Sequence, residues 1–259
     1  MMSESTLTEQ NLTEPLAPLP EDPRLYFEET WQAGLGDVDV RRRARLDSVA
    51  RYLQDLGFDH LISAGFDEIH PYWVVQRTVI EAQAPAADSL RETLTLRRWC
   101  SGIAKFWCNV RIQVVGDRGT HFETEAFWIN FNKETKGPAR ISDEFVEKFG
   151  QATENHHLRW KPVLSPEPSA DAETSPWQLR ATDIDQFQHV NNAAYWEAVE
   201  HLLQNSDLLQ GRYRAIIEYL SPVQPAEKVT LSSVVSDKEA DIWFIVDGKA
   251  KAAVKVIKL

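Results

Sequence analysis

Cysteine, long apolar runs and positive charge are all scarce in this chain of 259 residues, and each scarcity excludes a class of protein. Only two cysteines occur, Cys100 and Cys108, and they form no CxxC pair, which argues against a disulfide scaffold or a zinc knuckle. We expect both thiols to be reduced and buried in a cytosolic protein. No apolar run approaches the ~18 residues that cross a bilayer, so the sequence predicts no membrane span.

The charge balance and the missing motifs exclude several further functions. A net charge of -11 argues against binding of nucleic acid or an anionic membrane over a large area. The sequence contains no GxSxG elbow, no GxxxxGK phosphate loop and no GxGxxG turn. Its seven histidines lack the HxxxH spacing of metal ligands. We therefore expect no metal, no nucleotide and no other cofactor.

Two polar stretches mark the boundaries of the folded units. Residues 1–22 contain no Lys or Arg and no apolar run, so we predict a disordered tail over residues 1–23 and not a signal or transit peptide. Residues 150–176 carry four prolines and the run EPSADAETSP, which predicts a linker over residues 151–174.

A weak internal repeat organises the remainder of the chain. GDVDVRRRARLDSVARYL, from Gly36, aligns with TDIDQFQHVNNAAYWEAV, from Thr182, with both DxD triplets in register. After each comes an apolar strand, a Pro-broken stretch and another strand, and the triplets Val79-Ile80-Glu81 and Ile216-Ile217-Glu218 lie at matching places. A matched order of elements indicates duplication of one unit.

Each copy predicts one long helix followed by antiparallel strands. Apolar residues recur at helical spacing from Leu46 to Leu56 and from Tyr195 to Leu203. Alternating strand patterns then follow in both copies: TLTLRRW, KFWCNVRIQVVG and HFETEAFWINFN in the first, and KVTLSSVV, ADIWFIV and KAAVKVIKL in the second. The sequence thus predicts an α+β fold with one half over residues 24–150 and the other over 175–259.

The second DxD stretch, TDIDQFQHVNNAAYW, resembles the DxDxNxHVNNxxY turn of the acyl-ACP thioesterases. The matching residues are Asp183, Asp185, His189, Val190, Asn191, Asn192 and Tyr195. The segment FWINFNKETKGPARISDEF, residues 127–145, is similar to the strand that closes the first half in that family. The resemblance implies a tandem (double) hotdog, in which an antiparallel sheet wraps a long central helix in each half.

The same resemblance implies an activity and a partner. The implied reaction is hydrolysis of fatty acyl-ACP to free fatty acid and holo-ACP in fatty acid biosynthesis, with acyl carrier protein as the partner. A homodimer is an open alternative, although a tandem hotdog supplies internally the pairing that single hotdogs gain by dimerising.

The sequence departs from the family at three positions. The family's asparagine between aspartate and histidine is Phe187 here, and its downstream glutamate and cysteine fall near Pro222 and Val223. Simpler hotdog thioesterases that act on acyl-CoA also resemble this stretch, with one catalytic aspartate at the position of Asp185. An acyl-CoA thioesterase and a non-catalytic protein that binds acyl thioesters therefore stay open as alternatives.

Thioester hydrolysis needs few groups, because a thiol of pKa ~8.5 leaves readily as thiolate. An ionised Asp185 can activate water, or attack directly to form an anhydride. One of Asn191 and Asn192 caps the second helix and the other lines the site, where free backbone N–H groups make an oxyanion site. His189 either orients the carboxylate or water, or only bonds the backbone. The predicted catalytic set is Asp185, His189, Asn191 and Asn192, with Asp183 as a turn residue.

The first copy keeps Asp37 and Asp39 but has arginines where the second has its site residues. We interpret it as a half that has lost chemistry, and the resemblance implies that it shapes the acyl pocket. Strand aromatics are candidates for the pocket walls, or for ordinary core: Trp73, Trp99, Phe106, Trp107 and Trp128. The arginines of this copy are one candidate docking patch for an acidic carrier protein, or only a solvated helix start: Arg41, Arg42, Arg43, Arg45 and Arg51.

Overall fold

The computed structural model describes residues 12–84 and 88–259. In this part of the chain the α-helices are α1 (Leu46–Ala64), α2 (Asp143–Phe149) and α3 (Asn192–Leu202). The first-half strands are β1 (Phe27–Gln32), β2 (Trp73–Ala82), β3 (Thr93–Ile103), β4 (Trp107–Gly116), β5 (His121–Asn132) and β6 (Gly137–Pro138). The second-half strands are β7 (Glu173–Trp177), β8 (Tyr213–Tyr219), β9 (Val229–Val235), β10 (Glu239–Val246) and β11 (Lys249–Lys258).

The strands form one antiparallel sheet with an internal symmetry. Its order is β1-β3-β4-β5-β2-β8-β11-β10-β9-β7, and the two-residue β6 pairs with β5. The strands β2 and β8 pair in the middle and join the halves. Counted outward from this pair, each half has the same strand order. The predicted α+β tandem hotdog and its duplication are therefore confirmed.

One face of the sheet buries the two long helices, which contact each other. The stripe predicted on α1 is buried, with Leu46, Val49 and Leu56 at 0% exposure. Each such side chain contributes roughly 1.5–3 kcal/mol when it is fully buried. The helix ends at Gly65, whose φ of 75° is the left-handed conformation that glycine adopts without strain.

The repeat is visible in two ion pairs across the central strands. Arg77 on β2 pairs with Glu218 on β8 at 2.5 Å, and Arg214 on β8 pairs with Glu81 on β2 at 2.6 Å. Both arginines and both glutamates are 137 positions apart, so one pair is the copy of the other. These pairs lie on the face of the sheet turned away from the helices, where the predicted linker covers Glu218.

The predicted linker, residues 151–174, packs along that outer face. Glu218 accepts hydrogen bonds from the backbone N–H groups of Val163 (2.9 Å) and Leu164 (3.3 Å). The Trp107 indole donates to the carbonyl of Leu158 at 2.7 Å. The last two linker residues already belong to β7.

The N-terminal segment covers a neighbouring part of the same face. Arg214 donates to the carbonyl of Leu12 at 2.8 Å, and Arg111 donates to the carbonyl of Ala17. In its described part, residues 12–23, the predicted disordered tail thus lies against the sheet, because its carbonyls satisfy buried guanidinium groups. The rest of that prediction, residues 1–11, falls outside the described residues.

Two of the aromatic residues predicted as pocket walls require a correction. Trp99 lies beneath the Arg111 guanidinium, 5.0 Å from the ring centroid, and Trp107 contacts the linker, so both belong to the outer face. Trp73 and Trp128 do pack against the helix-side core. Since the linker and the N-terminal segment bury the second face as well, an apolar strand residue does not reveal which face it occupies.

Two smaller expectations concern the cysteines and the membrane. Cys100 and Cys108 are both free and buried, as predicted. Within residues 12–84 and 88–259, no helix combines the length and the apolar character needed to cross a membrane.

Candidate active site

The second DxD turn is a short hairpin that leads into α3. A 3-10 turn at Ala181–Asp183 is followed by a bridge between Ile184 and Val190. Within it the Asp185 N–H donates to the His189 carbonyl at 2.9 Å, and Gln188 takes a φ of 62° to close the loop. The helix begins directly afterwards, so the backbone brings the carboxylate turn to the N-terminal end of α3.

Asp183 has a structural role in this turn. Its carboxylate accepts from the Arg180 backbone N–H at 2.8 Å and pairs with the Arg180 guanidinium at 2.7 Å. Its carbonyl accepts from the Asn191 N–H at 2.7 Å, which ties the turn to the helix start. Only 3% of Asp183 is exposed, and its oxygens are occupied, in agreement with its interpretation as a turn residue.

Asp185 is half-buried, and one of its carboxylate oxygens is held in place. Its Oδ1 accepts from the Phe187 backbone N–H at 2.8 Å. No cation of the described chain forms an ion pair with it, so its second oxygen stays available to a ligand. Burial raises the pKa of Tyr195 on α3, and the charges of Glu227 and Asp185 add to this shift. The Asp185 carboxylate thus lies close enough to the first turns of α3 to act electrostatically on Tyr195.

Asn191 is the N-cap of α3, and its side chain is fully committed to structure. Its Oδ1 accepts from the Ala193 N–H at 2.9 Å. Its amide also forms a two-way pair with Gln54 of α1, with bonds of 3.0 and 3.2 Å. Of the two asparagines, Asn191 is therefore the cap. Sequence reasoning missed Gln54, although the repeat aligns it with Glu200 of the second copy.

Asn192 is the first residue of the helix and is half-buried. Its carbonyl accepts from the Tyr219 hydroxyl at 3.4 Å. Neither its backbone N–H nor its side-chain amide has a hydrogen-bond partner within the described ranges. These donors lie at the positive end of the helix dipole, where an anionic oxygen is stabilised.

His189 contacts Asp185 through the main chain and not through its ring. Its carbonyl accepts the Asp185 N–H, while the half-buried imidazole has no hydrogen-bond partner in the part of the chain that is described. The ring is thus free to meet a ligand, and it does not orient the carboxylate directly.

The segment after β8 lies against the turn. The Val190 N–H donates to the carbonyl of Val223 at 3.0 Å, and the Val223 backbone also hydrogen-bonds the Tyr195 hydroxyl. Val223 is completely buried, and the carbonyl of Pro222 faces Lys251 at 3.4 Å. This segment therefore contributes backbone and apolar packing to the site, with no acid and no thiol.

Phe187 replaces the family's asparagine at the exposed rim of the turn. Its ring is 44% exposed and meets Tyr72 edge-on at 6.4 Å. The Lys133 ammonium lies 3.7 Å from the Tyr72 ring centroid and 5.2 Å from that of Phe187. An aromatic and cationic rim thus stands where the family has an amide.

The first DxD turn has the same backbone but a different set of contacts. Arg43, which takes the place of His189, pairs with Asp39 at 3.2 Å and with Glu200 at 2.5 Å. Arg45 and Arg51 both pair with the buried Asp47. The candidate docking patch is therefore largely neutralised within the chain. Elsewhere in residues 12–84 and 88–259, no group of three His, Cys, Asp or Glu side chains is arranged to hold a metal ion.

Comparison with known proteins assigns both halves. Residues 24–149 match the acyl-ACP thioesterase N-terminal domain, and residues 166–252 match the acyl-ACP thioesterase C-terminal domain. An uncharacterized protein of Mycobacterium tuberculosis is 40% identical over 229 residues, which are 88% of this chain and 90% of that protein. The chloroplastic oleoyl-acyl carrier protein thioesterase of Coriandrum sativum is 25% identical over 194 residues, 66% of this chain and 52% of the plant protein.

Solved structures share the fold. An acyl-ACP thioesterase from Bacteroides thetaiotaomicron superposes with a TM-score of 0.74 and 19% identity, over 90% of this chain and 97% of its own. The 12:0-ACP thioesterase from Umbellularia californica gives a TM-score of 0.71 and 18% identity, over 90% and 96%. At these identities the likeness concerns the two-domain hotdog architecture alone.

Proposed function

Because this chain belongs to the acyl-ACP thioesterase family, we propose that it hydrolyses fatty acyl-ACP to free fatty acid and holo-ACP. Membership of the family supports thioester hydrolysis, the reaction of a thiolester hydrolase. The observation that carries the proposal is the position of Asp185, half-buried, unpaired and attached to the N-terminal end of α3. That arrangement supplies a base or nucleophile beside donors for an oxyanion.

In the proposed reaction Asp185 takes a proton from water, whose oxygen attacks the thioester carbonyl. The carbonyl π electrons move to oxygen, and the tetrahedral intermediate then expels the thiol as thiolate. Because a thiol of pKa ~8.5 is a good leaving group near neutral pH, no general acid is required at this step. The proton on Asp185 finally returns to solvent or to the thiolate.

The oxyanion would be stabilised by the unpaired donors of Asn192, the backbone N–H and the side-chain amide. Asn191 would act as a positioning residue, since its amide is already bonded to Ala193 and Gln54. His189, whose imidazole has no partner in the described chain, would hold the attacking water. Loss of one oxyanion donor typically reduces the rate on the order of 100 to 1000-fold.

Direct attack by Asp185 is the second form of the same proposal. It would form a mixed anhydride with release of the thiolate, and water would then cleave the anhydride. A single turnover in ¹⁸O-labelled water tests this form in one direction. Label in the Asp185 carboxylate would establish the anhydride, because it arises when water attacks the aspartyl carbonyl, whereas label only in the fatty acid fits water attack on the thioester or on the acyl carbonyl of an anhydride.

The test of the function is thiol release from C8 to C18 acyl-ACP and acyl-CoA, measured with the wild type and Asp185→Asn. We expect release from acyl-ACP that depends on Asp185. Both carriers present the same phosphopantetheine arm, so both substrates must be compared. Release from acyl-CoA at equal or higher kcat/KM would favour the acyl-CoA alternative. Undiminished release by Asp185→Asn would remove Asp185 from the mechanism.

A non-catalytic protein that binds acyl thioesters is the alternative from a different class. It is favoured by one observation, namely that Pro222 and Val223 place neither a carboxylate nor a thiol beside the turn. Acyl-ligand affinity without any thiol release, measured on the same substrates, would establish it and would exclude the hydrolase.

A further inference from the structure

Arg98 on β3 is a buried cation without a carboxylate. Four arginines of the described chain are buried: Arg43, Arg98, Arg111 and Arg214. Three of them form ion pairs, with Glu200, Glu123 and Glu81 respectively, whereas Arg98 forms none among residues 12–84 and 88–259. Its one hydrogen-bond partner is the Nδ1 atom of His60 at 2.7 Å. Four of the five guanidinium N–H donors are therefore unused.

His60 does not neutralise this charge. Its ring is stacked on Phe27 at 4.6 Å and meets Phe149 edge-on at 5.0 Å. Burial, together with the charges of Arg98 and Lys148, lowers the pKa of His60 to about 2. The imidazole stays neutral and accepts from Arg98, so the local charge is positive.

The two cysteines whose charges would act on Arg98 are neutral as well. Burial raises the pKa of the Cys100 thiol to about 11, and it also raises that of Cys108, so neither is a thiolate near pH 7. On the helix side Arg98 lies next to Gly57, where an added Cβ would be in ordinary contact with Arg98 Nε at 3.8 Å. None of the unpaired Arg98 nitrogens is completely shielded from solvent, and 9% of the residue is accessible. A small group can therefore reach the guanidinium.

A buried charge is costly unless an anion compensates it, and the planar guanidinium fork matches a carboxylate with two parallel hydrogen bonds. The apolar rings of Phe27 and Phe149, which pack against His60, favour an anion that carries an aliphatic chain over a strongly hydrated ion. We propose that Arg98, supported by His60, is a binding site in the first half for the carboxylate of an aliphatic acid. The description of that acid as a fatty acid rests on the proposed function, but the site itself does not.

Two sources can supply this carboxylate, the head group of a free fatty acid or a second carboxylate at the far end of an acyl chain. Calorimetric titration of the full chain with dodecanoate and with dodecanol tests the first. We expect dodecanoate to bind wild type at least 10-fold more tightly than Arg98→Met, and dodecanol to bind both equally. For the second source, KM for a dodecanoyl thioester with a terminal carboxylate should rise at least 10-fold in Arg98→Met, and KM for the unsubstituted thioester should not.

Either dependence on Arg98 supports the site, and the absence of both overturns it. Equal protection of the wild type against heat by sodium chloride and by dodecanoate, at one ionic strength, would also overturn the carboxylate assignment. The titration needs no turnover, so it remains informative even if the chain hydrolyses nothing.

The fold of the variants is controlled separately. Without ligand, Arg98→Met should raise Tm by a few degrees, because it removes an uncompensated buried charge. Arg111→Met is the matched control. It removes a paired buried arginine on the outer face and should lower Tm while leaving dodecanoate affinity unchanged. A fall in Tm for Arg98→Met, with neither dodecanoate affinity nor KM for the carboxylated thioester changed, would assign Arg98 a purely structural role and overturn the proposal.

Discussion

The two DxD turns have one backbone and two kinds of chemistry. Arg45 donates its N–H to the Asp37 carbonyl at 3.0 Å, as Asn191 does to Asp183 at 2.7 Å. The loop-closing residues are Arg42 with a φ of 65° and Gln188 with a φ of 62°, and each pair of equivalents is 146 positions apart. Main-chain hydrogen bonds therefore preserve the turn, whatever side chains it carries.

What differs is whether the second aspartate is neutralised. In the first turn Asp39 pairs with the Arg43 guanidinium, which also pairs with Glu200. In the second turn Asp185 has no such cation within the described chain, and His189 replaces the arginine. A carboxylate that is free to accept a proton is a requirement of the proposed reaction, and only the second turn meets it.

The two turns also brace each other through the long helices. Gln54 of α1 holds the Asn191 cap of the second turn, and Glu200 of α3 accepts from the Leu46 N–H at 2.7 Å in the first. These two side chains are again 146 positions apart. Each half thus positions the helix start of the other, so residues of both halves hold the second DxD turn in place.

The largest expected effect is a difference between the two equivalent aspartates, Asp185 and Asp39. Asp185→Asn should reduce kcat/KM for acyl-ACP by about 1000-fold, because it removes the base, within the range general acid–base groups contribute. The measurement is thiol release under single-turnover conditions.

Asp39→Asn is the matched control, and it should change kcat/KM less than a few-fold while lowering stability. Equal losses of activity in the two variants would contradict the assignment of chemistry to the second turn alone.

The next effect concerns the bracing residues. Glu200→Ala should lower the free energy of unfolding by about 3 kcal/mol, because it leaves the Arg43 guanidinium buried with Asp39 alone. Gln54→Ala removes neutral hydrogen bonds and should cost about 1 kcal/mol. Urea unfolding measures both. If Gln54→Ala proved the more damaging of the two, the ion pair would not be the main tie in the first turn.

A third prediction concerns pH, because only the first turn has an acid after its cap. Asp47 occupies the place of Ala193. Burial by itself raises the pKa of Asp47, but hydrogen bonds and charges from Arg45 and Arg51 outweigh it and hold this pKa below its usual value. Its stabilisation is then present above the unfolded pKa of ~3.9 and lost as pH falls through the lower folded pKa.

Asp47→Asn should therefore cost about 1 kcal/mol at pH 7, a modest figure because both arginines are partly exposed. The difference from wild type should shrink as the pH falls and vanish once the pH is below the folded pKa. Urea titrations between pH 7 and pH 2 check this, and a difference that persists at the acidic end would show that the contribution is not electrostatic.

The smallest expected effect compares the cations beside the two turns. Lys133→Glu, at the rim of the second turn, should raise KM for acyl-ACP several-fold and weaken its salt dependence, since an acidic carrier would meet a like charge. Arg41→Glu, on the exposed first turn, should change KM by less than about two-fold, because exposed charge pairs contribute little. Steady-state kinetics at two ionic strengths measure both, and a larger effect at Arg41 would restore the first turn as the docking patch.

Sequence reasoning predicted the elements and the turn but not all of their partners. The period of the apolar residues predicted α1 and the strands, and the DxD repeat predicted the duplication that the paired strands confirm. The catalytic role of Asp185, His189, Asn191 and Asn192 stays a prediction. The side of the sheet occupied by Trp99 and Trp107 could not be predicted, because both faces are covered, one of them by segments that have no regular structure.

By itself, the sequence determined the duplicated α+β pattern and the position of a carboxylate turn before a helix, because these follow from local periodicity and turn chemistry. Only the tertiary structure decided that Asn191 is the cap, that Arg43 is neutralised by Glu200 and that Arg98 is not neutralised at all. Those outcomes depend on contacts between residues more than 100 positions apart, or on their absence, and such contacts exist only after the two halves have packed.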